Sequence, residues 1–177
     1  MPANKLLSLL DGKSVIRRTV EAVCDSRVDP VIVVTGHVAD RIRDALAGLS
    51  VTITENVRFT DGLSTSLIHG LRHVTQASDG FIVVLGDMPF VPSSVIDAMI
   101  DAFVARSGAT IVVPTYKGNR GNPVLWPTAL RSEFETLSGD RGAKQLMALH
   151  GDLLYELEVG TDAVLTDLDT PEDFSRA

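Results

Sequence analysis

The sequence predicts an α/β fold: a mostly parallel sheet with helices on both faces. Three observations carry this expectation. The runs Val31-Ile32-Val33-Val34, Phe81-Ile82-Val83-Val84-Leu85 and Ile111-Val112-Val113 are rich in β-branched residues and bounded by Gly, Pro or Asp. Such runs, apolar on both faces, suit strands buried in a parallel sheet. Amphipathic segments lie between them, and strand and helix patterns alternate along the chain. At 177 residues the chain matches one domain in size. Residues 1–177 are therefore read as a single unit, with 117–160 as an insertion or flap.

The elements follow in order. The chain opens Met1-Pro2-Ala3-Asn4-Lys5-Leu6-Leu7 with no strand pattern before it. Doubly wound domains begin with a strand and a Gly-rich turn, so the usual first strand is lacking. Ile16, Val20 and Val23 fall at helical spacing, with Cys24 on their apolar face as a core residue. After the strand at 31–34, Val38, Ile42, Leu46 and Leu49 mark a second helix, and Leu67, Leu71 and Val74 a third. Residues 92–106 continue the pattern through Ile96, Met99, Ile100 and Phe103, and Pro92-Ser93 provides a helix start. Beyond Pro114 the rhythm breaks into a turn-rich loop, Lys117-Gly118-Asn119-Arg120-Gly121-Asn122-Pro123. A short strand at 124–126, a helix over 128–137, a Gly-bearing loop at 138–142, a helix over 143–149 and an alternating strand at 153–159 complete the reading.

Composition excludes several classes. Hydrophobic residues make up 45% and charged residues 22%, which is unlike a disordered chain. No apolar stretch approaches the ~20 residues of a membrane span. One cysteine forms no internal disulfide and offers no metal spacing. No signal-peptide pattern opens the chain, and a cytoplasmic protein is expected. The net charge of −7 lies in the tail, because residues 145–177 hold eight acids and one base. A nucleic-acid binder shows a basic face, and no dense basic run is present.

Four constellations bear chemistry. The first is Gly86-Asp87-Met88-Pro89, where a buried strand ends in a carboxylate. Ligands of open α/β sheets bind beyond the carboxyl ends of the strands, and an Asp there suits Mg²⁺. The plain alternative is a turn aspartate bonded to nearby amides. The second is Asp167-Leu168-Asp169-Thr170-Pro171-Glu172-Asp173. Alternation puts Asp167 and Asp169 on one face, where either can supply a metal oxygen opposite Asp87, while Thr170 through Asp173 read as a helix start. The third is Asp61-Gly62-Leu63-Ser64-Thr65-Ser66-Leu67: free amides and hydroxyls at a helix start bind phosphate or a base edge, or Ser64 or Thr65 simply caps the helix. The fourth is the set of basic loop residues Lys117, Arg120, Arg141 and Lys144, which suit phosphate or merely solubility; Lys5 joins them. His37, His69, His73 and His150 show no ligand spacing, and neither a Walker loop nor a G-x-S-x-G elbow is present.

Taken in order from Asn4 to Asp173, Asn4-Lys5-Leu6-Leu7, the 61–67 segment, Gly86-Asp87-Met88-Pro89, Arg120-Gly121-Asn122-Pro123-Val124, Gly139-Asp140-Arg141-Gly142-Ala143 and the 167–173 segment resemble MobA-like NTP transferases, with molybdenum cofactor cytidylyltransferase as the most similar branch. The resemblance implies a Rossmann-like nucleotidyltransferase fold. It implies transfer of a nucleoside monophosphate, CMP from CTP, to the phosphate of a molybdopterin-type acceptor, with release of pyrophosphate. On the same basis Asp87 binds Mg²⁺ with Asp169 or Asp167, and Lys5 contacts the triphosphate or stabilises the transferring phosphoryl. Gly62, Ser64, Thr65 and Ser66 lie against the nucleotide, and Arg120, Asn122, Asp140 and Arg141 face the acceptor.

The family opens with an L-A-A-G-x-S-x-R-M-G loop, and Met1-Pro2-Ala3-Asn4-Lys5 begins where that loop ends; weak nucleotide binding by the 177-residue chain is expected. Asn122 stands where relatives often carry His. Alternatives within the fold are GTP as donor or a sugar or alcohol phosphate as acceptor. Outside catalysis, the alternative is a module that binds the cofactor and hands it to a molybdenum enzyme or its chaperone.

Overall fold

The computed structural model describes residues 4–75, 77–139 and 143–168. A 3₁₀ turn, Lys5–Leu7, leads into a small hairpin of β1 (Leu9–Leu10) and β2 (Lys13–Ser14). Asp11 and Gly12 form its tip with φ of 50° and 80°. Positive φ at both central residues matches the right-handed strand twist, and Asp-Gly supplies it at low cost. Then follow α1 (Val15–Cys24), β3 (Ile32–Thr35), α2 (Ala39–Ala45), β4 (Thr52–Glu55), α3 (Leu63–Leu71), β5 (Gly80–Val83) and α4 (Ser93–Val104). The second half holds β6 (Ile111–Tyr116), β7 (Asn119–Arg120), β8 (Val124–Pro127), α5 (Lys144–Leu149) and β9 (Leu154–Glu158).

The strands form a parallel β3–β4 pair and a five-stranded sheet in which β8 lies between β5 and β6 and β9 flanks β6. β8 runs antiparallel to both β5 and β6, while β9 is parallel to β6. β5, β6 and β9 therefore point the same way, and their carboxyl ends share one edge. The expected flap differs from this arrangement. Residues 124–127 and 154–158 are strands of the central sheet, and Trp126 in β8 is fully buried. Burial of this large apolar strand, with ladder bonds on both sides, holds it inside the sheet.

Side chains of β6 and β8 alternate between two faces. Val112 and Leu125 meet Ile96, Met99 and Phe103 of α4 on one face. Ile111, Val113, Val124 and Trp126 meet Leu71 of α3, Phe134 and Leu146 of α5 on the other. A third cluster joins Ile16 and Val20 of α1 to Val33 of β3 and to Ile42 and Leu46. Helices thus cover both faces, as expected. The stretch Thr128–Thr136 is 3₁₀ rather than the α-helix expected. The Thr128 hydroxyl is drawn to the distant Ser78 carbonyl, while the Thr136 hydroxyl donates to the Glu133 carbonyl three residues back, a local bond of the kind that competes with helical ones. Among the described residues, no helix is long and apolar enough to cross a membrane.

Candidate functional site

The site begins where β5 ends. Gly86 lies against α1 and the first turn: a Cβ there would come within 3.0 Å of Ile16 Cδ1. The Thr19 hydroxyl, shared with the Val15 carbonyl, reaches the Gly86 carbonyl at 3.1 Å. Asp87 follows, held at the carboxyl edge of the sheet. The 3₁₀ turn at Lys5 is capped by Asn4, whose Oδ1 accepts from the Leu6 amide. That turn brings Lys5 Nζ to 2.7 Å from Asp87 Oδ2. The Asp87 side chain is 17% exposed and that of Lys5 41%. Asp87 Oδ1 has no hydrogen-bond partner among the described residues.

The C-terminal segment returns to the same place. The Leu168 amide donates to the Asp87 carbonyl at 3.1 Å, and the Leu168 side chain is buried with Leu10 and Val15. Asp167 beside it is exposed; Asp169, with Thr170 to Asp173, lies outside the described residues. Upstream on this segment, the Val164 carbonyl accepts from the Asn122 amide at 2.8 Å. Gly121 packs its backbone directly on that carbonyl, where a Cβ would collide with it. Val83 is in register with Val124, so Asn122 and Asp87 stand at the same sheet edge. Among the described residues, no three His, Cys, Asp or Glu side chains cluster as a metal cage.

The basic loop residues are more committed than their sequence suggests. Arg120 Nε donates to Glu156 Oε1 at 2.7 Å, tying β7 to β9. Its neighbour on β9, Glu158, accepts from the Lys117 amide at 2.7 Å and the Thr115 hydroxyl at 2.8 Å. The Lys117 amide, then the Thr115 hydroxyl and the Gly118 amide, hold the Glu158 carboxyl below the usual glutamate range. A lowered folded value means the bracing is intact above the unfolded value and is lost as pH falls through the folded one. Glu158→Gln is therefore expected to lower the thermal midpoint at neutral pH by a small amount. The gap should close well below roughly pH 4.3, the unfolded glutamate value. Melting curves across pH check this, and a gap independent of pH refutes it. Asp140 and Arg141 lie outside the described residues.

An open groove of about 480 Å³ lies between the β1–β2 hairpin, α1 and α2, with Lys13, Arg17 and Arg41 in its wall. It contains neither Lys5 nor Asp87. Lys13 and Arg17 are bound to Glu21, and Arg17 also to the carbonyls of Ala45 and Ala47. Cation, carboxylate and strand ends converge instead at Asp87, the candidate site.

The 61–67 segment folds differently from a simple cap. Gly62 occupies the N-cap position of α3 with φ 108° and ψ 167°, and no side chain caps the helix. Ser64 is buried. Thr65 Oγ1 turns back toward the Gly62 carbonyl at 2.9 Å and the Arg58 carbonyl at 3.0 Å. Gly62 also abuts the second loop, because a Cβ there would lie 2.6 Å from the Gly139 carbonyl carbon. The structure thus joins two segments that the sequence separates. It also shows a residue that sequence reasoning passed over. Asn56, just after β4, is 4% exposed and donates through Nδ2 to Thr65 Oγ1 at 2.9 Å and Ser66 Oγ at 3.1 Å. The available signal was a lone Asn closing an alternating strand ahead of three hydroxyls.

Comparison with known proteins bears on this arrangement. Residues 1–154 match the model of the MobA-like NTP transferase domain. The bifunctional protein GlmU of Geobacter metallireducens is 31% identical over 118 residues, which is 63% of this chain and 23% of that protein. The chain thus spans about a quarter of such curated relatives. Rv0371c of Mycobacterium tuberculosis H37Rv superposes with TM-score 0.82 at 27% identity, covering 99% of this chain and 90% of that one. A structure of Rv0371c complexed with manganese gives TM-score 0.80 at 28% identity over 99% and 91% of the two chains. A nucleotidyl transferase from Methanothermobacter (Mth528) gives 0.83 at 28%, over 99% and 83%. CMP:2-keto-3-deoxy-manno-octonic acid synthetase complexed with CTP, at 13% identity and TM-score 0.77 over 97% and 89%, shares the fold alone.

Proposed function

The chain belongs to the MobA-like NTP transferase family, and from that premise we propose that it moves CMP from CTP onto the phosphate of a molybdopterin-type acceptor. An acceptor phosphate oxygen attacks the α-phosphorus, the bond to the β-phosphate oxygen breaks, and pyrophosphate leaves with the electron pair. The attacking phosphate is already a nucleophile, so neither a histidine base nor a serine is required. Positioning and charge neutralisation carry the reaction.

The observation that carries this reading is the Lys5–Asp87 pair at the carboxyl edge, with Leu168 fastened to the same residue. Asp87 is suited to a divalent cation, because Oδ1 remains available beside the pair and Mg²⁺ accepts one or two carboxylates plus phosphate oxygens. The manganese complex of Rv0371c supports a divalent ion at such a fold. Mg²⁺ would supply charge neutralisation of the triphosphate, with Asp167 or Asp169 as the second carboxylate. Lys5 Nζ neutralises phosphate charge. Gly62 and Ser66 receive the nucleotide, with Ser64 buried behind them, while Arg120, Asn122, Asp140 and Arg141 receive the acceptor. Cytoplasmic work agrees with the single cysteine, Cys24.

Thermal shift with Mg²⁺ and each nucleoside triphosphate tests the donor. At 100 times Kd, binding to the folded state contributes about 2.7 kcal/mol, or roughly 5–10 °C for a chain of this size. CTP is expected to give the largest shift, and pyrophosphate release should require molybdopterin. A larger shift with GTP, or release driven by a sugar phosphate, overturns the substrate assignment. No shift with any nucleotide overturns the nucleotide reading.

A further inference from the structure

We infer that Asn56 is a positioning residue for the nucleotide segment, acting through the hydroxyls of Thr65 and Ser66. The inference rests on the nucleotide reading above. Asn56 stands at the end of β4, and its amide donates to the Thr35 carbonyl of β3 at 2.8 Å. It is therefore anchored to the strand pair by main chain. Its Oδ1 accepts from the Arg58 amide at 3.0 Å, which turns the chain away from the strand. Both Nδ2 hydrogens go to α3, one to Thr65 and one to Ser66. A primary amide offers two donors and one acceptor oxygen, so the donors are fully used. Asn56 itself has none left for a ligand.

The bonds dictate the behaviour of the two hydroxyls. Thr65 Oγ1 accepts from Asn56, and its single proton is engaged by the carbonyls of Gly62 and Arg58. Thr65 is thus part of the clamp, not a donor to nucleotide. Ser66 Oγ accepts from Asn56 and keeps its own proton to donate. The clamp closes residues 56–66 into one unit between the sheet edge and the first turn of α3. Gly62 lies within that unit, against Gly139. Loss of Asn56 leaves two half-buried hydroxyls without their donor and frees the loop from the strand. Such a preorganised segment binds more tightly because its ordering has already occurred.

The test uses the full chain with CTP and Mg²⁺, read by calorimetric titration, together with hydrogen exchange of residues 57–66 without nucleotide. Asn56→Ala is expected to weaken CTP binding about tenfold, the weight of one lost buried bond, and to speed exchange across the segment. Thr65→Val should behave alike, and Thr65→Ser, which keeps the hydroxyl, should recover most of the loss. A lowered melting temperature with unchanged CTP affinity in Asn56→Ala assigns a merely structural role and overturns the inference. Thr65→Ser as weak as Thr65→Val overturns it also, since packing of the methyl then decides. If the wild-type chain binds no nucleoside triphosphate, the nucleotide reading falls and takes this inference with it. Wild-type binding with indifferent variants refutes the inference alone.

Discussion

Asp87→Asn is expected to reduce CTP-dependent pyrophosphate release about 10²–10³-fold, the range seen when one preorganised charge-stabilising group is removed from a reacting site. The substitution keeps shape and removes charge. Its side chain is 17% exposed and lies just beyond β5, so water substitutes poorly for the lost carboxylate. The Lys5 ammonium then faces a neutral amide at that position in place of the carboxylate 2.7 Å away. Stability should change little. Lys5 is 41% exposed, and ion pairs near solvent contribute about 0–1 kcal/mol. The Leu168 amide bond to the Asp87 carbonyl involves main chain and survives the substitution. Release within tenfold of wild type sinks the role assigned to this carboxylate. Titration with Mn²⁺ gives an independent readout, since the variant should lose affinity for the ion along with turnover.

Gly62→Ala carries the second large effect, for two separate reasons. Its backbone, at φ 108° and ψ 167°, lies in a region essentially reserved to glycine, and a side chain there costs about 1–3 kcal/mol. The added Cβ also meets main chain: the Gly139 carbonyl carbon at 2.6 Å, its oxygen at 2.8 Å and its Cα at 2.9 Å. Main chain moves only as a segment, so the two loops must part. At 2–4 °C per kcal/mol for a chain this long, the melting temperature should fall by roughly 2–12 °C. CTP affinity should fall at least tenfold, by about 1.4 kcal/mol. Gly12→Ala is the control, because φ is 80° there and nothing lies within 4 Å of the new Cβ. Equal effects at the two positions would mean that strain alone operates and that the contact with Gly139 is immaterial.

Much of this arrangement is legible in local pattern. β3, β5 and β6 show as β-branched runs, and α4 begins at Ser93 beside Pro92, because strand burial and helix starts are written in neighbouring residues. Asp87 is legible for the same reason: a carboxylate after a buried strand falls at the sheet edge. The hairpin at Asp11-Gly12 goes unread, although that dipeptide is a strong turn signal. What local pattern does not hold is pairing across distance. Val124–Pro127 reads as a strand, but nothing near it says that it enters between β5 and β6. Arg120 reads as a free cation until Glu156 is placed beside it. Ser64 and Thr65 read as caps because hydroxyls before an apolar helix usually are. Asn56 supplies a different partner from beyond the loop, and Gly62 takes the N-cap position instead.

The place of β8 bears on the order in which the chain acquires structure at the ribosome. Residues 80–83 have β8 as their ladder partner, and β6, made next, also pairs with β8. A nascent chain halted after Tyr116 would hold both strands with no peptide groups to join them. Two apolar ribbons would then wait side by side until residues 124–127 leave the exit tunnel. Translation pausing in that interval should favour capture by chaperones, and release past Pro127 should end it.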